Sequence, residues 1–162
     1  MLGIDPGTYK MGVGIVAPIG SDFELIYTGV ISPKRGDPIS KRLGFLFDGL
    51  TGIIQEWKPT YVAIEEPFAG RNIKAAMAIG HAQAVAMLVA DKFSLDVAGY
   101  APSQIKQAVT DYGGSSKEQV QEMVKVLLQM DEAPASSDAA DALAIAICHI
   151  NASQVSAMDM RE

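Results

Sequence analysis

Between Ser136 and His149 the chain reads Ser-Ser-Asp-Ala-Ala-Asp-Ala-Leu-Ala-Ile-Ala-Ile-Cys-His, a stretch whose apolar density asks for a core helix and whose two acids resist that placement. Asp138 has a local explanation: it follows a serine able to cap a helix, and an acid in a first turn is favoured by the positive end of the helix dipole. Asp141 has none. It lies among alanine, leucine and isoleucine, where an unpaired carboxylate is expensive to bury. A spacing of three sets both carboxylates on one helical face, close enough to share a divalent cation. Taken alone, the pair is either a solvated edge on a core helix or part of a metal site, and both readings stay open at this point.

The chain is long enough to bury such a helix. Its 162 residues, 49% of them hydrophobic, are expected to form one domain over 1–162, with the last ten or so residues a loose tail. No apolar run reaches the ~18 residues of a membrane span, and no leader of basic, then apolar, then small residues opens the chain. A cytoplasmic protein with no membrane partner is therefore expected. The single Cys148 has no partner for an internal disulfide, excludes a cysteine-based zinc site and reads as core. A formal net charge of −6 argues weakly against a nucleic-acid partner, and carboxylates gathered in a site account for only part of it.

Met1 to Ile4 starts a short strand, which Asp5-Pro6-Gly7 ends in a turn. Met11–Val16 and Leu25–Ile31 are β-rich, and the segment from Ala17 to Glu24, with its proline, glycine and aspartate, reads as their connection. Together they suggest an antiparallel three-strand meander, followed by a polar loop carrying Lys34 and Arg35. From Pro38 the period changes: Ile39, Leu43, Leu46, Leu50, Ile53 and Trp57 recur at three and four residues, the mark of an amphipathic helix. Tyr61–Ile64 is a short, unalternating apolar strand, typical of a central parallel position buried on both faces. Its end delivers Glu65 or Glu66 to the rim of the sheet, one of the two opening a solvated loop. Asn72 to Lys92 is an alanine-rich helix whose face of Ile73, Met77, Gly80, Ala84, Met87 and Leu88 suits close packing in the core, against a second copy, or both. A last strand, Asp96–Tyr100, leads to a helix opened by Pro102, from which Lys106 points outward. Gly113-Gly114 breaks the chain, and Ser115-Ser116-Lys117-Glu118-Gln119 offers a capping box by either serine.

Asp5 and Glu65 thus fall at strand ends, while Asp138 and Asp141 share a helix face. Carboxylates converging from distant parts of a chain repel one another, and a bound cation is the usual reason to tolerate this. Oxygen-only ligands suit magnesium or manganese rather than zinc or copper. Such ions hydrolyse phosphodiesters without a nucleophilic side chain. No Ser-His-Asp or Cys-His set is legible, and His81 and His149, both in predicted helices, read as structural.

These residues carry a resemblance. Gly3-Ile-Asp-Pro-Gly7, Ala63-Ile-Glu-Glu66 with Phe68, Tyr100 through Lys106, Gly-Gly-Ser-Ser-Lys-Glu-Gln-Val ending at Val120, and Asp138-Ala-Ala-Asp-Ala-Leu-Ala144 together resemble the RuvC family of Holliday-junction resolvases over nearly the whole length. The resemblance implies an α/β fold of the ribonuclease-H-like type, a five-stranded mixed sheet with three antiparallel and two parallel strands, flanked by helices. It implies a homodimer in which each subunit nicks one of two symmetry-related strands of a four-way DNA junction. By that likeness Asp5, Glu65, Asp138 and Asp141 are catalytic and hold Mg2+, with Mn2+ able to substitute and two ions per site. Lys106 and Lys117 contact or neutralise phosphate, and Phe68 stacks on unpaired bases at the crossover. A RuvA–RuvB branch-migration complex is the implied protein partner. The chain departs from the family in its acidity, in lacking a basic residue near Gln83, and in Pro67, which stiffens the Phe68 loop. Two other classes compete: a junction-binding module that is catalytically weak or inactive, and an actin-like phosphotransferase, against which a single small domain argues.

Overall fold

The computed structural model describes residues 1–66 and 72–159, with side chains described through 154. Strands β1 (Leu2–Asp5), β2 (Met11–Ile19) and β3 (Asp22–Ile31) form the antiparallel meander; β4 (Tyr61–Glu65) lies parallel to β1, and β5 (Asp96–Tyr100) parallel to β4. The order across the sheet is β3-β2-β1-β4-β5, the five-stranded mixed sheet expected. In β4, Val62, Ala63 and Ile64 have no exposed surface, as a strand covered on both faces requires.

Helices α1 (Ile39–Trp57) and α2 (Ile73–Lys92) cover one face; α3 (Pro102–Thr110), α4 (Lys117–Leu127) and α5 (Ser137–Asp159) cover the other. Side-chain alternation divides the strands between two cores. Leu2 and Ile4 of β1 and Val62 and Ile64 of β4 pack with Leu46, Leu50 and Ile54 of α1. Ala63 packs with Ile105, Val124 and the Leu143–Ile147 stretch on the opposite side. The α5 face of β1 and β2 is lined by glycine. A Cβ at Gly3 would strike the carbonyl oxygen of Ala142, and one at Gly12 the carbonyl oxygen of Asp138. Absence of side chains here lets α5 lie directly on the sheet.

Four details depart from the sequence reading. The stretch Ala17 to Glu24 is not a loop connection: the β2–β3 ladder continues to Ile19 opposite Asp22, past a register shift at Ile15/Val16. Only Gly20 and Ser21 turn, with Gly20 at φ 61°. The polar composition there reflects an exposed hairpin tip, not lost pairing. In α2 the core face is Ala82, Val85, Ala86, Val89 and Ala90, whereas Ile73, Met77, Met87 and Leu88 are exposed, so core packing alone does not account for them. Alanine also makes this helix apolar enough, by length and composition, to cross a membrane, although its buried alanines and valines pack in the core. Finally, α5 continues to Asp159, into the segment expected as a tail. The capping box is made by Ser116, which accepts from the Gln119 amide at 3.2 Å while Gln119 Oε1 accepts from the Ser116 amide at 2.8 Å.

Candidate active site

Alternation along the strands decides which acids meet. In β1, Leu2 and Ile4 face α1 and α2, so Gly3 and Asp5 face α5; in β4, Val62 and Ile64 face α1 and α2, so Ala63 and Glu65 face α5. Because β1 and β4 are adjacent and parallel, with Ile4 opposite Ile64, both acids leave the sheet at the same end and on the same side. Glu66 goes the other way: its carboxylate lies over Gly99, and its amide donates to the Tyr100 carbonyl at 2.9 Å.

Helix α5 supplies the other two. Its first turn rests on Gly12, which sits opposite Asp5 in the β1–β2 ladder, bringing Asp138 and Asp141 over the end of β1. Ser136 fixes Asp138 by donating to Oδ2 at 2.9 Å and accepting from its amide at 3.2 Å. All four carboxylates are only partly exposed, and they repel. Burial first, then the charges of Asp141, Glu65 and Asp138, raise the Asp5 carboxyl to about 7 against the pull of Lys117. Burial and Asp141 likewise raise Glu65 against the pull of Lys117 and Lys106.

Two lysines answer this charge. Lys117 Nζ lies 2.5 Å from Asp141 Oδ2, and Lys10 Nζ 3.9 Å from Asp138 Oδ2. Burial pulls the Lys117 ammonium down, but the hydrogen bond and charge of Asp141, with Asp5 and Asp138 adding to them, outweigh it and leave the group above its ordinary value. Lys106 and Lys117 join Glu65 and Asp141 in lining a cleft of about 230 Å³ whose remaining walls are apolar residues of α3, α4 and α5. Among the described residues no group of three His, Cys, Asp or Glu side chains is arranged to hold a metal ion as it stands; Asp141 is drawn onto Lys117 instead. The chemistry of the donor set nevertheless fits a hard divalent cation: every donor is a carboxylate oxygen, and Asp5 records negative charge that the neighbouring lysines leave uncompensated.

Of the residues singled out in the sequence, Asp5, Glu65, Asp138, Asp141, Lys106 and Lys117 come together at this end of the sheet, and Phe68 lies outside the described residues. Lys10 was missed. It closes the turn that opens at Asp5, which marked it as a neighbour of β1, but its pairing with Asp138 depends on how α5 docks. His149, expected to be structural, has its Nδ1 2.7 Å from the Tyr100 hydroxyl.

A family model described as crossover junction endodeoxyribonuclease RuvC matches residues 1–149. The chain is 48% identical over 149 residues to the crossover junction endodeoxyribonuclease RuvC of Dehalococcoides mccartyi, covering 92% of this chain and 90% of that one. It is 45% identical over 157 residues to that of Rubrobacter xylanophilus, covering 97% and 88%. Among solved structures it is similar to T. thermophilus RuvC in complex with Holliday junction substrate, with a TM-score of 0.91, 33% identity and coverage of 96% and 94%. The yeast mitochondrial Holliday junction resolvase Ydc2, at 15% identity and a TM-score of 0.66, shares the fold.

Proposed function

The chain belongs to the RuvC family of crossover junction endodeoxyribonucleases, and from that membership we propose how its own residues carry out the reaction. It is a metal-dependent, structure-selective DNA endonuclease that resolves Holliday junctions in recombination and repair. We assign Asp5, Glu65, Asp138 and Asp141 as the residues that hold the ions. Mg2+ is the proposed ion, Mn2+ the proposed substitute, and two ions per site the proposed number. The chemistry such ions supply is activation of an attacking water and stabilisation of the leaving 3′-oxygen.

The chain's own contribution is charge placement. Carboxylates partly withdrawn from water on β1, β4 and α5 offer hard oxygens in a setting where electrostatic interactions are stronger than in bulk. Lys117 is a resident counter-charge, 2.5 Å from Asp141. It moves from the carboxylate to a phosphate oxygen when a DNA strand enters, while Lys106 receives the same strand from the cleft wall. The three lysines do not cancel the four acids, so the cleft of a molecule whose net charge is −6 would attract an anionic strand only once cations neutralise the carboxylates, and Lys106 and Lys117 then stand on its wall to meet the phosphates. A homodimer would present two such sites to the two equivalent strands of a symmetric junction. A RuvA–RuvB type of branch-migration complex, a stacking role for Phe68 and a cytoplasmic location belong to the same proposal.

The observation that carries this reading is the convergence of Asp5 and Glu65, at the ends of adjacent parallel strands, with Asp138 and Asp141 of α5, whose first turn is seated on Gly12 opposite Asp5. It is tested by single-turnover nicking of a synthetic immobile four-way junction across a magnesium titration. Asp141→Asn is expected to slow nicking by a factor on the order of 100 or more and to keep junction binding, since it removes a negative charge facing phosphates. Equal nicking by the variant and the wild type would remove the acids from the mechanism.

A further inference from the structure

Arg42, in the first turns of α1, is only 9% exposed, and among the described residues no acid pairs with it. A buried guanidinium without a carboxylate is expensive, and an apolar residue of similar volume commonly serves a core as well or better. Its contacts indicate what it is for. Nη1 donates to the Thr8 carbonyl at 3.2 Å and to the Thr8 hydroxyl at 3.1 Å, and the guanidinium carbon lies over the Tyr9 ring, 3.9 Å from its centroid. Nε is buried without a partner, so the side chain is held by this one turn. Thr8 is itself buried, at 4% exposure, and Gly7 lies so close to the Lys10 carbonyl that a Cβ there would strike it. The five-residue segment between β1 and β2 is therefore closed tightly and pinned from outside the sheet by one side chain.

That segment joins two groups of the site. Asp5 precedes it, and Lys10, beside Asp138 at 3.9 Å, ends it. We infer that Arg42 is a positioning residue for the nicking reaction: by clamping Thr8 and Tyr9 it fixes the exit of β1 at Asp5 and holds Lys10 over the start of α5, where its ammonium meets the backbone of the bound strand. The inference rests on the assignment of the acids above. A guanidinium that bonds a carbonyl and a hydroxyl through one nitrogen while its carbon lies over a ring has a reach and breadth that a lysine ammonium does not reproduce. An error of about an ångström at a reacting centre slows chemistry roughly a hundredfold without removing the surface that binds DNA.

The test compares Arg42→Lys, Thr8→Val and Thr8→Ser with wild type in single-turnover nicking and in junction affinity, with the folded fraction at assay temperature measured by circular dichroism melting. Arg42→Lys and Thr8→Val are expected to slow nicking about tenfold or more while changing affinity by less than about threefold, and the double variant to be little worse than either alone. Thr8→Ser, which keeps the hydroxyl, should nick like wild type. Nicking by Arg42→Lys within about twofold of wild type, or a loss matching its unfolded fraction, would overturn the inference. Asp141→Asn run alongside separates the two failures: full activity there sinks the acid assignment, whereas an inactive Asp141→Asn beside an active Arg42→Lys sinks only the clamp.

Discussion

Asp5 lies where the requirements of the reaction and of folding oppose each other. Its carboxyl, 3.8 in an ordinary setting, is pushed up to about 7 by burial and by Asp141, Glu65 and Asp138. A raised acid binds its proton more tightly in the folded chain than in the unfolded one, so the metal-free protein loses stability as pH climbs from about 4 to about 7 and does not regain it above. Three units correspond to at most about 4 kcal/mol, a large part of a typical domain's stability. Asp5→Asn removes the charge and should raise the melting temperature of EDTA-treated protein at pH 8 by several degrees. The gain should shrink towards zero at pH 4–5, and nicking should be lost at every pH. Added Mg2+ should then stabilise the wild type through linked binding and leave Asp5→Asn nearly unmoved. A variant no more stable than wild type at pH 8 without cations would mean that the acids do not repel as their placement requires.

At the scale of elements, the meeting of α5 with β1 and β2 sets the site, and glycine makes that meeting close. Gly12→Ala would drive a methyl group into the Asp138 carbonyl, so α5 must lift where its first acid stands. The expected outcome is a loss of about 1–3 kcal/mol in denaturant melts, together with slower nicking by the remaining folded protein. Gly52→Ala, in the exposed middle of α1 with nothing within 4 Å, should instead gain about 0.5–1 kcal/mol and nick as wild type. Much of this architecture was legible. The antiparallel meander, the doubly covered β4 with an acid at its end and the acid pair on α5 were readable from the residues themselves, whereas the complete five-stranded sheet and the four-acid metal site came from the resemblance to the RuvC family. Illegible features depend on contacts between elements distant in sequence. Nothing local marks Gly12 as the seat of α5, Lys10 as the partner of Asp138, or Arg42 as a clamp on Thr8. The hairpin tip around Gly20 read as a loop because exposure and lack of pairing leave the same polar composition. The α2 face of Ile73, Met77, Ala84, Met87 and Leu88 was read as suited to core packing, to a second copy or to both, yet the core side is taken by the smaller alanines and valines and this face is exposed.

For the whole molecule, that direction bears on assembly. Ile73, Met77, Ala84 and Leu88 recur at steps of four, seven and four residues and are exposed along α2 together with Met87, on the side away from the core residues Ala82, Val85, Ala86 and Val89. Among the described residues a single subunit gathers one such cluster of acids, while resolution of a symmetric junction needs two equivalent cuts, and a two-fold pair is the simplest arrangement that supplies them. An apolar stripe on a helix beyond the core is a suitable surface for that pairing. Leu88, 63% exposed, can be replaced by glutamate with little expected effect on the isolated subunit, since exposed positions usually tolerate substitution within about 0.5 kcal/mol. In a two-fold pair the same change brings like charges together and buries them. Leu88→Glu should therefore sediment with the mass of one chain at micromolar concentration where wild type sediments with the mass of two, while melting at nearly the wild-type temperature once concentration dependence is removed. Its products should change accordingly: junctions nicked on a single strand should accumulate, and conversion to two linear duplexes should fall by at least tenfold. A wild-type chain that sediments as a monomer on the junction and still makes both cuts would show that one acid cluster visits the two strands in turn, and the apolar stripe of α2 would then need another explanation.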